Sequence, residues 1–134
     1  MSIIYVARSS KFSKWGSDVG LSKNLYKLGV TDEPVKDLVA RGWAGETDWQ
    51  LVKKQDVDGI GEEEAVARLA LKDKMVDPNY YPKLKGARGL FKIPIEHVEN
   101  SIVVARAMAN NEVLDPGKLK PADFASYMIE NALK

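Results

Sequence analysis

The side chains able to do chemistry are few, and their spacing argues against most catalytic centres. The chain has no cysteine, which removes thiol nucleophiles, thiolate metal sites and disulfides together. Its one histidine, His97, cannot supply the several nitrogen or sulfur ligands that a zinc site uses. Serine–histidine catalysis would have to use the same residue. His97 directly precedes Val98 in a predicted helix, and no nucleophile elbow marks a serine, so it reads as a surface or partly buried helix residue. A phosphate loop needs Gly-Lys-Ser/Thr after spaced glycines, and no glycine here precedes a Lys-Ser or Lys-Thr pair. Gly16 and Gly20 bracket a stretch that reads as loop. Asp56, Asp58, Glu62, Glu63 and Glu64 offer oxygen ligands suited to Mg²⁺ or Ca²⁺, but not in the order of an EF-hand loop. Three consecutive acids suit the first turn of a helix, where they complement its dipole.

One stretch has a more specific chemistry. Tyr80-Tyr81-Pro82-Lys83-Leu84-Lys85-Gly86-Ala87-Arg88-Gly89-Leu90-Phe91-Lys92 mixes aromatic and basic residues without a single acid. Aromatic faces beside cations suit unpaired bases and phosphates, which makes Tyr81, Lys85 and Arg88 candidate nucleic-acid contacts. The competing reading is a solvated loop whose tyrosines anchor it to the core.

The elements that must position these groups follow from periodicity. Ile3–Arg8 is a β-branched and aromatic run and predicts a strand. Residues 9–23 have no clear period and predict a loop. Asn24–Thr31 predicts a second strand, antiparallel to the first. Thr31 or Asp32 caps a helix from Pro34 with Val35, Leu38 and Val39 on one face, stopped by Gly42. Trp49–Lys54 predicts a third strand with Trp49, Leu51 and Val52 turned inward. A helix then runs from Glu62 to about Val76, a loop covers Asp77–Gly86, and Gly89–Ile93 forms a short strand. Pro94 opens a long helix bearing Ile95, Val98, Ile102 and Ala105, residues 110–117 form a linker, and Pro121 opens a last helix bearing Phe124, Met128 and Leu133. The expectation is an α+β fold: a small mixed or antiparallel sheet of three to four strands packed with helices, plus a C-terminal helix.

Composition fits that expectation. The 134 residues suffice for one domain, and 45% apolar with 29% charged residues is ordinary for a globular protein. No apolar run approaches the length needed to span a bilayer, and the N-terminal residues do not pattern as a signal peptide, so the expected location is the cytoplasm and no membrane partner is expected. A net charge of +1 conceals segmental asymmetry: residues 1–31 and 78–94 each carry +4, residues 32–77 carry −5, and residues 95–134 carry −2. If the fold joins the two basic segments, they form a positive face.

In order and spacing, the chain resembles the GIY-YIG endonuclease superfamily, and in particular a branch of phage and bacterial proteins whose second motif reads Lys-Ile-Gly. Ile3-Ile4-Tyr5 stands where the family carries Gly-Ile-Tyr, and Lys27-Leu28-Gly29 stands for the second motif. Asp32-Glu33-Pro34 matches the turn into the following helix, Glu62–Met75 a later glutamate-bearing helix, and Leu90–Ile93 a short strand before a final helix. The likeness implies a GIY-YIG-like domain over residues 1–109, with residues 110–134 forming a linker and a helix packed on the same domain. It also implies phosphodiester chemistry by a tyrosine, an arginine and a metal-holding glutamate, with Mg²⁺ as cofactor if cleavage operates.

The departures weaken that chemistry. Tyr5 survives, but Lys36 and Asp37 fall where the arginine belongs, with Arg41 a turn later. Lysine lacks the planar bidentate contact of arginine. Arg68 falls where the metal glutamate belongs, with Glu64 a turn earlier. The remnants are therefore Tyr5, Lys27, Arg41 and Glu64, and the resemblance implies a catalytically degenerate domain that binds nucleic acid, DNA or RNA, or a nucleoprotein complex, with contacts from Lys27, Tyr81, Lys85 and Arg88. Tyr5, Lys27 and Arg88 must converge if this holds. The alternative is a protein-interaction or structural accessory protein of a phage or bacterial assembly with no nucleic-acid role. It would use a protein partner bound through an exposed patch on the C-terminal helix at Phe124, Tyr127 and Met128, unless those residues pack onto the core.

Overall fold

The computed structural model describes residues 2–21, 24–76, 80–81, 84, 89–108 and 120–133, the side chains of residues 103–108 excepted. Strand β1, Ser2–Ser9, is the hub. It pairs antiparallel on one side with β2, Leu25–Thr31, in a register that sets Tyr5 opposite Gly29 and Ala7 opposite Lys27. On its other side it pairs antiparallel with β3, Trp49–Val57. Strand β5, Leu90–Lys92, joins the far side of β2, and the two-residue β4, Lys74–Met75, closes that edge. The sheet order is β3-β1-β2-β5-β4. The fold is therefore α+β as expected, with five strands rather than three or four.

Alternation along the strands separates two cores. Ile4, Val6, Tyr26, Leu28 and Phe91 share one face with Ala65 and Leu69 of α3 (Glu62–Ala70), Val98 of α4 (Ile95–Met108) and Phe124, Ala125 and Met128 of α5 (Pro121–Ala132). Tyr5, Ala7, Leu25 and Leu90 turn to the other face. There they meet Phe12 of α1 (Ser10–Asp18), Val35 and Val39 of α2 (Val35–Arg41), and Trp49, Val76 and Leu84. No described helix is long and apolar enough to cross a membrane.

Three departures from the sequence reading have local causes. Helix α1 occupies part of the expected loop 9–23. The Ser9 side chain caps it by accepting from Phe12 N at 3.0 Å and also donates to Asp48, which accepts from Lys11 N at 3.0 Å. Phe12 and Trp15 bury its inner side, and Phe12 lies 5.5 Å from Trp49. Such a short helix depends on tertiary packing rather than on periodicity.

The second departure is in α3, which ends at Ala70 rather than near Val76. The backbone N–H groups of Lys72 and Asp73 fold back onto Leu69, and Met75 then pairs with Phe91 as strand. Third, Leu51 is exposed although it was expected inside. A bulge opposite Val6/Ala7 inserts an extra residue in β3, so Trp49 faces one core while Val52 packs on the other. On α5, Phe124, Tyr127 and Met128 are all buried in the core, the packing that the sequence reading set against an exposed patch on that helix.

Candidate functional site

The site forms where β1 and β2 lie side by side on the α1/α2 face. Tyr5 is almost fully buried, and its ring stacks on Trp43 at 6.0 Å between centroids. Trp43 is held by a tight hairpin turn in which Ala44 and Gly45 both have positive φ and Glu46 N donates to Trp43 O at 3.1 Å. The Trp43 carbonyl also accepts from Trp49 Nε1 at 2.9 Å. The Tyr5 hydroxyl lies directly over Gly29. A Cβ there would collide with the phenol and sit 2.7 Å from Glu62 Oε1, so only glycine permits this approach.

Lys27 extends into the same space. It is 5% exposed, its ammonium lies 4.0 Å from Glu62 Oε1 and 5.6 Å from the Trp43 ring centroid, and it approaches Leu28 O at 3.4 Å. Gly89, at φ +79°, passes close by. A Cβ there would stand 2.9 Å from the Lys27 ammonium, and Gly89 O accepts from Leu28 N at 2.8 Å. Further along β2, Glu62, at the start of α3, accepts from Val30 N at 3.3 Å.

The electrostatics follow from burial. Burial pushes the Tyr5 phenol well up, and the Glu62 carboxylate adds to it, so Tyr5 stays protonated and acts as a hydrogen-bond donor rather than a base. Burial pushes Lys27 down, while Glu62 pulls it back up. A divalent cation does not suit this arrangement: the Lys27 ammonium already stands beside the one carboxylate, and no group of three histidine, aspartate or glutamate side chains that could hold a metal occurs among the described residues.

Of the remnants expected from the sequence, Tyr5 and Lys27 converge. Arg41 is exposed at the end of α2 and binds Glu33 at 2.7 Å. Glu64 binds Arg68 at 2.5 Å one turn along α3. Each is thus paired with a residue on or beside its own helix. Lys85 and Arg88 lie outside the described residues, so the convergence required of Arg88 is outside them too. Glu62 and Trp43 belong to the site without having been singled out for it. The three acids opening α3 marked the region, but only the fold distinguishes Glu62 from Glu63 and Glu64.

Tyr81 packs on the same core cluster as Tyr5, edge-on to Trp15 at 5.6 Å, with Tyr80 5.0 Å from it and largely exposed. The two tyrosines, with Leu21, Lys74, Val76 and Lys92, line an open groove of about 400 Å³ at the β4 edge. Lys92 is opposite Leu25 on β2 and Lys74 is opposite Lys92, so by alternation both lysines share the face that carries Tyr5 and Lys27. Lys92 of the second basic segment thus shares a sheet face with Lys27 of the first.

His97 has a structural task. Its Nδ1 lies 2.6 Å from Oδ1 of the buried Asp73, tying α4 to the turn after α3.

Comparison with models of protein families, with curated proteins and with solved structures finds no match.

Proposed function

We propose that this chain is a cleavage-impaired relative of the GIY-YIG endonucleases that binds a single-stranded segment of nucleic acid across the α1/α2 face of its sheet. The observation that carries the reading is the convergence of Tyr5 and Lys27 over Gly29, with Glu62 closing the cluster. The two motifs quoted from the sequence meet at one point, and the glycine of the second is explained by the tyrosine of the first.

Support for the ligand comes from the adjoining groove. An exposed tyrosine beside a half-buried one, flanked by Lys74 and Lys92, offers a stacking surface with cations for the backbone. Cleavage is not expected. Tyr5 is held as a neutral donor, Arg41 and Glu64 are engaged elsewhere, and the ammonium of Lys27 stands where a metal would need further oxygen ligands. The test is fluorescence anisotropy with short labelled single- and double-stranded oligonucleotides. The reading expects affinity for single strands to exceed that for duplex, and Tyr80→Ala to weaken single-strand binding about tenfold, the effect of losing one stacked base. Equal affinity for both forms, unaffected by Tyr80→Ala, would overturn it.

A further inference from the structure

A second cavity, also of about 400 Å³, lies at the end of the sheet between the beginnings of α1 and α5, and its chemistry differs from that of the tyrosine groove. Its walls include Arg8, Ser10, Ser13, Lys14 and Tyr26, with Phe124 and Pro121 completing them. By alternation Arg8 and Tyr26 face the α3–α5 side of the sheet, opposite Tyr5 and Lys27. Two cations and several hydroxyls line this cavity, with no carboxylate among its described residues. Neither Arg8 nor Lys14 forms an ion pair with a described residue.

Tyr26 adds a polar group to the cavity wall. It is 5% exposed, its ring is stacked on Phe124 at 5.2 Å, and its hydroxyl has no hydrogen-bond partner among the described residues. A phenol so nearly buried normally finds a partner. This one lines the cavity, on the side where Arg8 stands close enough to draw its proton affinity down against the upward push of burial. The first turn of α1 presents Ser10 and Ser13 to the same space, while its Lys11 and Phe12 N–H groups are taken by Asp48 and Ser9.

We infer that this cavity binds the dianion of a phosphate monoester, with Arg8 and Lys14 neutralising its charge and Ser10, Ser13 and Tyr26 donating to its oxygens. Two positive groups match two negative charges, and a fixed guanidinium fork suits phosphate oxygens. The phosphate can belong to a small free molecule or to the 5′ end of a strand, and the experiment separates the two.

Calorimetric titration of the intact protein with inorganic phosphate is run beside anisotropy with 5′-phosphorylated and 5′-hydroxyl forms of one oligonucleotide. We expect saturable phosphate binding in the millimolar range or tighter, weakened at least tenfold by Arg8→Gln and by Lys14→Gln and several-fold by the conservative Tyr26→Phe. Preference for the 5′-phosphorylated strand, lost in the same variants, assigns the site to strand ends; equal binding of the two strands with phosphate binding intact assigns it to a free ligand. Absence of saturable phosphate binding, or binding indifferent to all three variants, overturns the inference. Tyr80→Ala serves as the reference for the tyrosine groove: it leaves phosphate affinity unchanged while lowering oligonucleotide affinity, so either proposal can fail without the other.

Discussion

Removing a lysine from water costs free energy, which for Lys27 the Glu62 carboxylate at 4.0 Å, the Leu28 carbonyl and the Trp43 ring face offset. If its task is to meet a phosphate, the uncharged and similarly long Lys27→Met variant will keep or raise stability in denaturant. It will also weaken oligonucleotide binding several-fold and make the salt dependence shallower by about one phosphate contact. Unfolding of that variant, or undiminished binding by it, would contradict the assignment. Gly29 is the opposite case, fixed by packing. Gly29→Ala pushes a methyl into the Tyr5 hydroxyl and should cost about 2 kcal/mol, read as a lowered denaturant midpoint.

The buried phenols give a pH signature at the same scale. Burial raises Tyr5, Tyr26 and Tyr127, with Glu62 adding at Tyr5, Asp73 adding at Tyr127 and Arg8 opposing at Tyr26. A folded-state value above the unfolded one means that the native state holds protons the unfolded chain releases. Stability from these groups is therefore complete below the ordinary phenol range near pH 10 and is lost as pH rises beyond it. Absorbance titration should show these three of the five tyrosines ionising only together with unfolding. Their ionisation at the ordinary phenol value while circular dichroism stays native would refute this.

At the scale of elements, what could be read from the sequence depended on whether a segment's order comes from its own pattern or from distant partners. Strands β1 and β2, helices α2, α4 and α5, and the short β5 announced themselves through alternation, apolar spacing, Pro and Gly. Helix α1 did not, because its cap on Ser9 draws in Asp48 from the approach to β3 and its buried face rests on Trp49. The early end of α3 depends on Asp73 meeting His97 of α4, which no local pattern encodes. The site divided in the same way. Tyr5, Lys27 and Tyr81 were visible as types in motifs, whereas Glu62 and Trp43 acquire their places only when α3 and a hairpin close over the sheet.

Two element-level outcomes follow. Ser9→Ala removes both the cap and the link to Asp48 and should destabilise the protein by about 1–2 kcal/mol, with fluorescence of the tryptophans reporting a loosened α1. His97→Ala removes one partner of a buried carboxylate that Tyr127 also approaches, and should cost about 2 kcal/mol, partly recovered in Asp73→Asn/His97→Ala. Stability unchanged by His97→Ala would mean that the pair does not bind α4 to the turn.

For the whole molecule, the sheet assigns different work to its two faces. The α3–α5 face is closed by a long apolar core that takes in the last helix, so Phe124, Tyr127 and Met128 are committed to stability and do not form a docking patch. The α1/α2 face is thinner, carries Tyr5 and Lys27, and continues at its β4 edge into the tyrosine groove. Through the pairing of β2 with β5, Lys27 of the first basic segment and Lys92 of the second come to lie on this face.

The most direct test of this account is anisotropy of a labelled single-stranded oligonucleotide across a salt series, with and without Mg²⁺, followed by a denaturing gel of the same samples. The account expects micromolar binding that falls steeply with salt, as released counterions require, and an intact strand in every lane. Failure to bind at low salt would contradict the nucleic-acid role proposed for the Tyr5–Lys27 face, and Mg²⁺-dependent cutting would contradict the proposed loss of cleavage.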